Sequence, residues 1–98
     1  MFVKNVKGSD EISKEPKKGD SWREFWEIQT GEAIGSYYTC PACGKRVKKE
    51  NVDGCHVQKA YSPFDQSWYI VPLCDGCNHR KDIFSIGETI LTPVVYKD

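Results

Sequence analysis

The stretch Trp68-Tyr69-Ile70-Val71-Pro72-Leu73-Cys74-Asp75-Gly76-Cys77-Asn78-His79-Arg80-Lys81 decides the fold. It opens as an aromatic and β-branched run, which reads as a strand. It then delivers two cysteines separated by two residues. The same spacing occurs upstream in Cys40-Pro41-Ala42-Cys43, where Gly44 supplies the positive backbone angle a tight turn needs. Thirty residues, 44–73, lie between the pairs. A two-residue gap lets both sulfurs of a pair face one point, and two such pairs supply four thiolates to one metal. The reading is a structural Zn(2+) held by Cys40, Cys43, Cys74 and Cys77. Four thiolates leave zinc no open position, so this ion would not activate water. A redox Cys-x-x-Cys would need only one pair. Iron is the other metal that suits such a set, and two disulfides in a secreted fragment is the non-metal alternative.

Working outward, the first pair reads as a hairpin knuckle after Tyr37, Tyr38 and Thr39. The second reads as the start of a helix running from Cys77 towards Ile86 and ended by Gly87. Residues 51–57 suggest a turn and a short strand, residues 58–67 a polar loop with Pro63, and Ile90 to Tyr96 an edge strand carrying Pro93. This is a small α+β arrangement of the treble-clef kind. Upstream, Ser21-Trp22-Arg23-Glu24 has the form of a capping box. Trp22, Phe25, Trp26 and Gln29 follow at i, i+3, i+4 and i+7, predicting a short aromatic helix that Gly31 ends. Its stripe reads first as core and second as a stacking surface. Residues 1–20 hold five lysines, four acids, Pro16 and two glycines. They predict a flexible or loosely docked arm, in which Phe2, Val3 and Val6 have the means to form an edge strand. Residues 21–98 are then a single zinc-binding domain.

The chain has 98 residues, small enough to need a staple such as a metal. Fourteen basic residues balance fourteen acidic ones. That balance argues against whole-surface attraction to nucleic acid and leaves room for a local patch. No apolar run reaches the roughly 20 residues of a membrane span, and the first residues lack the apolar core of a signal peptide. A cytoplasmic chain with no membrane contact is expected.

Asp53-Gly54-Cys55-His56-Val57, followed after a gap by the stretch 68–81, resembles the ββα-metal nucleases named for their His-Asn-His signature. The resemblance covers roughly residues 38–84. It implies a ββα core, His56 as general base and Asn78 as a ligand to a second divalent metal needed only by an active enzyme. It departs at Cys55, where the family has an acidic or imidazole ligand, and at Tyr69, where it often has Asn. A thiol is a poor magnesium ligand, so the site reads as degenerate. Asp53 would serve as a ligand only if its turn folds back. The chain is also similar to small bacterial proteins of unassigned activity with a Trp-rich opening and a Gly-Ala-His-Val stretch.

Each residue also has a plainer role. Cys55 suits a small buried apolar position, His56 a structural hydrogen bond, and Asn78 a helix cap. Adjacent strand residues point to opposite faces, which separates Cys55 from His56. Lys45, Arg46, Lys48 and Lys49, with Arg80 and Lys81, are the candidate phosphate contacts. A solvated hairpin tip explains the first four equally well. The expected function is a structural-zinc, His-Asn-His-like module that binds DNA or RNA and is non-catalytic or weakly active. An active metal-dependent endonuclease and a module that binds a protein partner are the alternatives. Trp68, Tyr61, Phe64 and Tyr69 would supply the contact patch of the latter.

Overall fold

The computed structural model describes residues 1–6 and 22–94. The candidate capping residue Ser21 and the rest of the expected arm, residues 7–20, lie outside them, as do residues 95–98.

The long strands form as their composition dictates. β4 (Val52–Lys59) and β5 (Tyr69–Cys74) pair antiparallel, with Cys55 opposite Val71 and His56 opposite Ile70. β1 (Phe2–Asn5) pairs with β4 on one side and with β6 (Phe84–Ser85) on the other. β7 (Thr92–Pro93) closes the far edge against β5, giving the order β6-β1-β4-β5-β7. Pro93 therefore lies at an edge, where its missing donor costs little. β1 is an inner strand rather than an edge strand, and Val3 is fully buried. A separate hairpin, β2 (Tyr37–Thr39) with β3 (Arg46–Lys48), carries the first cysteine pair at its tip.

The helix α1 (Trp22–Thr30) covers one face of the sheet. Trp22, Phe25 and Trp26 pack there with Ile34, Val52 and Ile70. The stripe is core, as its spacing implies, and each such ring contributes about 1.5–3 kcal/mol on burial. Trp26 keeps its indole satisfied by donating Nε1–H to the Ile90 carbonyl at 2.7 Å. Gly31 ends the helix with φ 75° and donates its N–H to Glu27 O at 3.0 Å. The opposite face buries Val3, Cys55, Val57, Val71, Leu73, Phe84 and Ile86 against three of the remaining cysteines.

The helix expected to run from Cys77 to Ile86 is not formed. α2 (Asp75–Asn78) is a single turn. Alternation explains the difference: Ile83 is exposed, Phe84 buried, Ser85 exposed and Ile86 fully buried. That is the period of a strand, and Phe84 pairs with Val3. Gly87 has the left-handed angle, φ 60°, but in the turn after β6. Among the described residues no helix is long and apolar enough to cross a membrane.

Candidate metal centre

Two turns bring the four cysteines together. In the first, Gly44 donates its N–H to Cys40 O and Cys40 donates its own to Lys45 O, both at 2.8 Å. Gly44 takes φ 78° there, so the tip closes without a Cβ penalty. In the second, β5 runs straight into α2, and Cys74 and Cys77 stand at its two ends. The ligand atoms of Cys40, Cys43, Cys74 and Cys77 all lie within 4.8 Å of one another. Cys43 and Cys74 sulfurs are 3.7 Å apart. Metal–sulfur bonds of about 2.3 Å in a tetrahedron require sulfurs ~3.8 Å apart, so the set fits a divalent ion.

The surroundings favour thiolate. Lys45 N–H points at Cys43 Sγ from 3.4 Å, and Cys74 N–H at Cys40 Sγ from 3.5 Å. Burial would push the Cys40 thiol up, but backbone N–H groups of Cys74, Cys43 and Ala42 outweigh it and bring it down to about 7. Burial pushes Cys74 and Cys77 up, and neighbouring sulfurs add to it. A cation at the centre would remove that crowding. Cys55 is outside the cluster: it is buried, and its Sγ faces Asp53 O at 3.4 Å. Burial first, and Asp53 second, push its thiol well up.

Sequence gave no hint of Asn5, whose partners lie more than seventy positions away. Its Nδ2 donates to Cys77 O and to Arg80 O, both at 2.9 Å. One amide thus donates to two carbonyls at and just beyond the end of α2, and ties β1 to the second cysteine turn. Groups that orient metal ligands commonly carry 10–100-fold of affinity. Asn5→Ala is expected to weaken metal binding by roughly tenfold or more. Competition with a chromophoric chelator reads this directly, and Lys4→Ala serves as control. Equal retention by Asn5→Ala and the parent would reduce Asn5 to a packing residue.

His56 and Asn78 have different neighbours: rings for the first, a carboxylate for the second. His56 is buried on the α1 face, its ring 5.0 Å from that of Trp22 and 5.9 Å from that of Trp68. Asn78 lies on the metal side, donating Nδ2–H to Asp53 Oδ2 at 3.4 Å. Asp53 is raised above the usual carboxylate value by burial and then by Asp75. His79 is exposed, its Nδ1 2.8 Å from Asp75 O.

The basic residues divide into two groups. Lys45, Arg46 and Lys48 are exposed on the hairpin, and the Arg46 guanidinium lies 4.8 Å from the Tyr37 ring centroid. Lys49 is drawn to Glu27 at 3.6 Å. Arg80 is held by Asp82, with Nε donating to Oδ1 at 2.9 Å, and its guanidinium lies over Phe84. Lys45 lines a hollow with Glu50, Asp53 and Asp75, whereas Arg80 and Lys81 line another with Lys4. The chain has no match among protein-family models, curated proteins or solved structures.

Proposed function

We propose that the metal is zinc, that it is structural, and that the domain is a non-catalytic module whose hairpin contacts nucleic acid. Soft, closed, four-sulfur coordination supports zinc and a structural role. The order of hairpin knuckle, β4–β5 and second knuckle supports a treble-clef-like core, despite the single-turn α2. The burial of His56 beside the Trp22 and Trp68 rings supports the absence of hydrolysis, since a general base must reach its substrate.

The observation that carries nucleic-acid contact is the outer face of the hairpin. Tyr38 and Val47 turn inward to the core, which leaves Tyr37, Arg46 and Lys48 facing out. Among the described residues no acid pairs with Lys45, Arg46 or Lys48. Two such cations, Arg46 and Lys48, beside the exposed Tyr37 ring suit phosphates and sugars, without a base-reading helix. Weak duplex binding is expected, with log K falling against log salt at a slope of about −1.8 for two contacts. Arg46→Glu with Lys48→Glu is expected to abolish it. Salt-independent binding, or none, would sink this reading.

Plasmid nicking in magnesium, manganese or nickel tests the enzyme alternative. The expectation is no nicking by the parent or by His56→Ala. Metal-dependent nicking that disappears in His56→Ala would establish the endonuclease instead.

A further inference from the structure

Away from the hairpin, the sheet offers a second surface of different chemistry. Phe2 and Lys4 alternate with buried Val3, so both side chains leave the core on one face of β1. Gln58 stands opposite Lys4 in the register. Ala60 donates its N–H to Phe2 O at 3.0 Å, which carries the loop 60–68 back over this face. Tyr61 then meets Phe2 edge-on, with ring centroids 5.8 Å apart. Phe2 is 51% exposed, Tyr61 72%, and Phe64 wholly exposed at 103%.

A fully exposed phenylalanine on a slack loop would fold back onto apolar surface. This loop is pinned at its base. Tyr69 donates its hydroxyl to Asp65 Oδ2 at 2.6 Å, and Lys59 Nζ sits 3.1 Å from the same oxygen. Ser67 N–H donates to Asp65 Oδ1 at 3.1 Å, and Gln58 Nε2 to Gln66 O at 2.8 Å. The rings are therefore displayed by an ordered support, which lowers the entropic cost of meeting a partner.

Charge identifies the partner. A groove of about 570 Å³ runs along the open end of β1, and Lys4, Arg80 and Lys81 line it with no acid among the described lining residues. Lys4 and Gln58 also line an adjoining hollow of about 290 Å³ under the loop. Its one carboxylate, Asp65, is already bound by Lys59 and Tyr69. Among the described residues neither Lys4 nor Lys81 has an acidic partner.

We propose that this surface binds single-stranded nucleic acid, with bases stacking on Phe2, Tyr61 and Phe64 and phosphates meeting Lys4 and Lys81. A duplex keeps its bases stacked on one another and offers these rings nothing flat. A single strand presents free base faces to rings set beside a cationic groove. The surface is separate from the hairpin, and the inference stands without the hairpin reading.

Fluorescence anisotropy tests it. The probes are a labelled 15-nucleotide single strand of mixed sequence, as DNA and as RNA, and the matching DNA duplex. The protein is metal-loaded, and circular dichroism confirms that the variants are folded. The expected result is a single-strand preference of tenfold or more over the duplex. Tyr61→Ala with Phe64→Ala is expected to weaken single-strand binding roughly tenfold or more. Lys4→Glu with Lys81→Glu should weaken it as well, and more steeply at low salt. Loss in these variants with Arg46→Glu/Lys48→Glu unaffected upholds the inference, while duplex binding by the hairpin variant tests the hairpin reading separately. Single-strand binding that the aromatic variant leaves unchanged overturns the inference, as does loss confined to the hairpin variant. No binding of either strand type overturns both.

Discussion

Metal-loaded protein treated with excess chelator is expected to lose its cooperative unfolding transition, because the domain is not stable without the ion. The four sulfurs do not decorate a finished core. Cys40, Cys74 and Cys77 are buried members of the same cluster as Val3, Val57, Val71 and Leu73. Structural zinc contributes an apparent ~10–16 kcal/mol at neutral pH. The net stability of a whole domain is only about 5–15 kcal/mol. Losing the first therefore removes all or nearly all of the second. Cys74→Ser should do the same without chelator. Acid should act likewise, since proton and metal compete for the same sulfurs. Cys74 and Cys77 hold their protons tightly in the metal-free fold, because burial and adjacent sulfur raise them. Metal binding must expel those protons, so affinity rises with pH and falls on acidification. Thermal melts followed by circular dichroism, with and without chelator, decide the matter. An unchanged melting temperature in the stripped protein would remove the metal from the account of folding.

Gly54→Ala is the second change expected to be severe. A Cβ at Gly54 would stand 2.3 Å from Arg23 N, 2.4 Å from Trp22 C and 2.7 Å from Trp22 Cβ. Two of those three atoms are backbone, so no side chain can swing away. The first turn of α1 crosses β4 at this point and lies directly on it. Relief requires lifting the helix, which carries Trp22, Phe25 and Trp26 out of the core. Overpacking of this kind costs about 1–3 kcal/mol and occasionally more. With helix displacement added, about 3 kcal/mol is expected, a fall in melting temperature of roughly 12–24 °C for a domain of this size. Gly35→Ala is the control, with nothing within 4 Å of its added Cβ, and should be nearly silent. Equal melting of both variants would show that α1 does not sit directly on β4 at Gly54.

The parts of this molecule that were legible in its sequence are those fixed by local chemistry. Two Cys-x-x-Cys pairs announce their own convergence, and the aromatic spacing from Trp22 to Trp26 announces a buried helix face. Gly31 and Gly44 sit where backbone angles demand them. What was hidden depended on distant partners. Nothing near Phe2–Asn5 reveals that it will be an inner strand, because its neighbours in the sheet are residues 57–59 and 84–85. The loss of the expected helix after Cys77 has the same origin. Ile83-Phe84-Ser85-Ile86 shows no apolar–polar alternation in sequence, and its alternating burial emerges only once β1 is there to receive Phe84. Alternation along β4 correctly separates Cys55 from His56. It does not say which of them faces the metal. That is settled by Val57 and Cys55 joining the apolar core that holds Cys40, Cys74 and Cys77, while the Trp22 ring meets His56 on the other face.

The inner position of β1 also orders events during synthesis. Val3 pairs with Lys59 and Phe84, and Asn5 reaches across to Cys77 and Arg80. At ~5–20 residues per second, β1 leaves the ribosome roughly 3–11 s before β4 can be offered to it. For that interval a strand with both hydrogen-bonding edges open waits beyond the tunnel mouth. β4 and β5 are adjacent hairpin strands and can form first, with the second cysteine pair immediately behind them. β1 is then made before its neighbours in the sheet and seated only once β4 is made, and nascent chains stalled before residue 59 should be the ones that holdase chaperones retain.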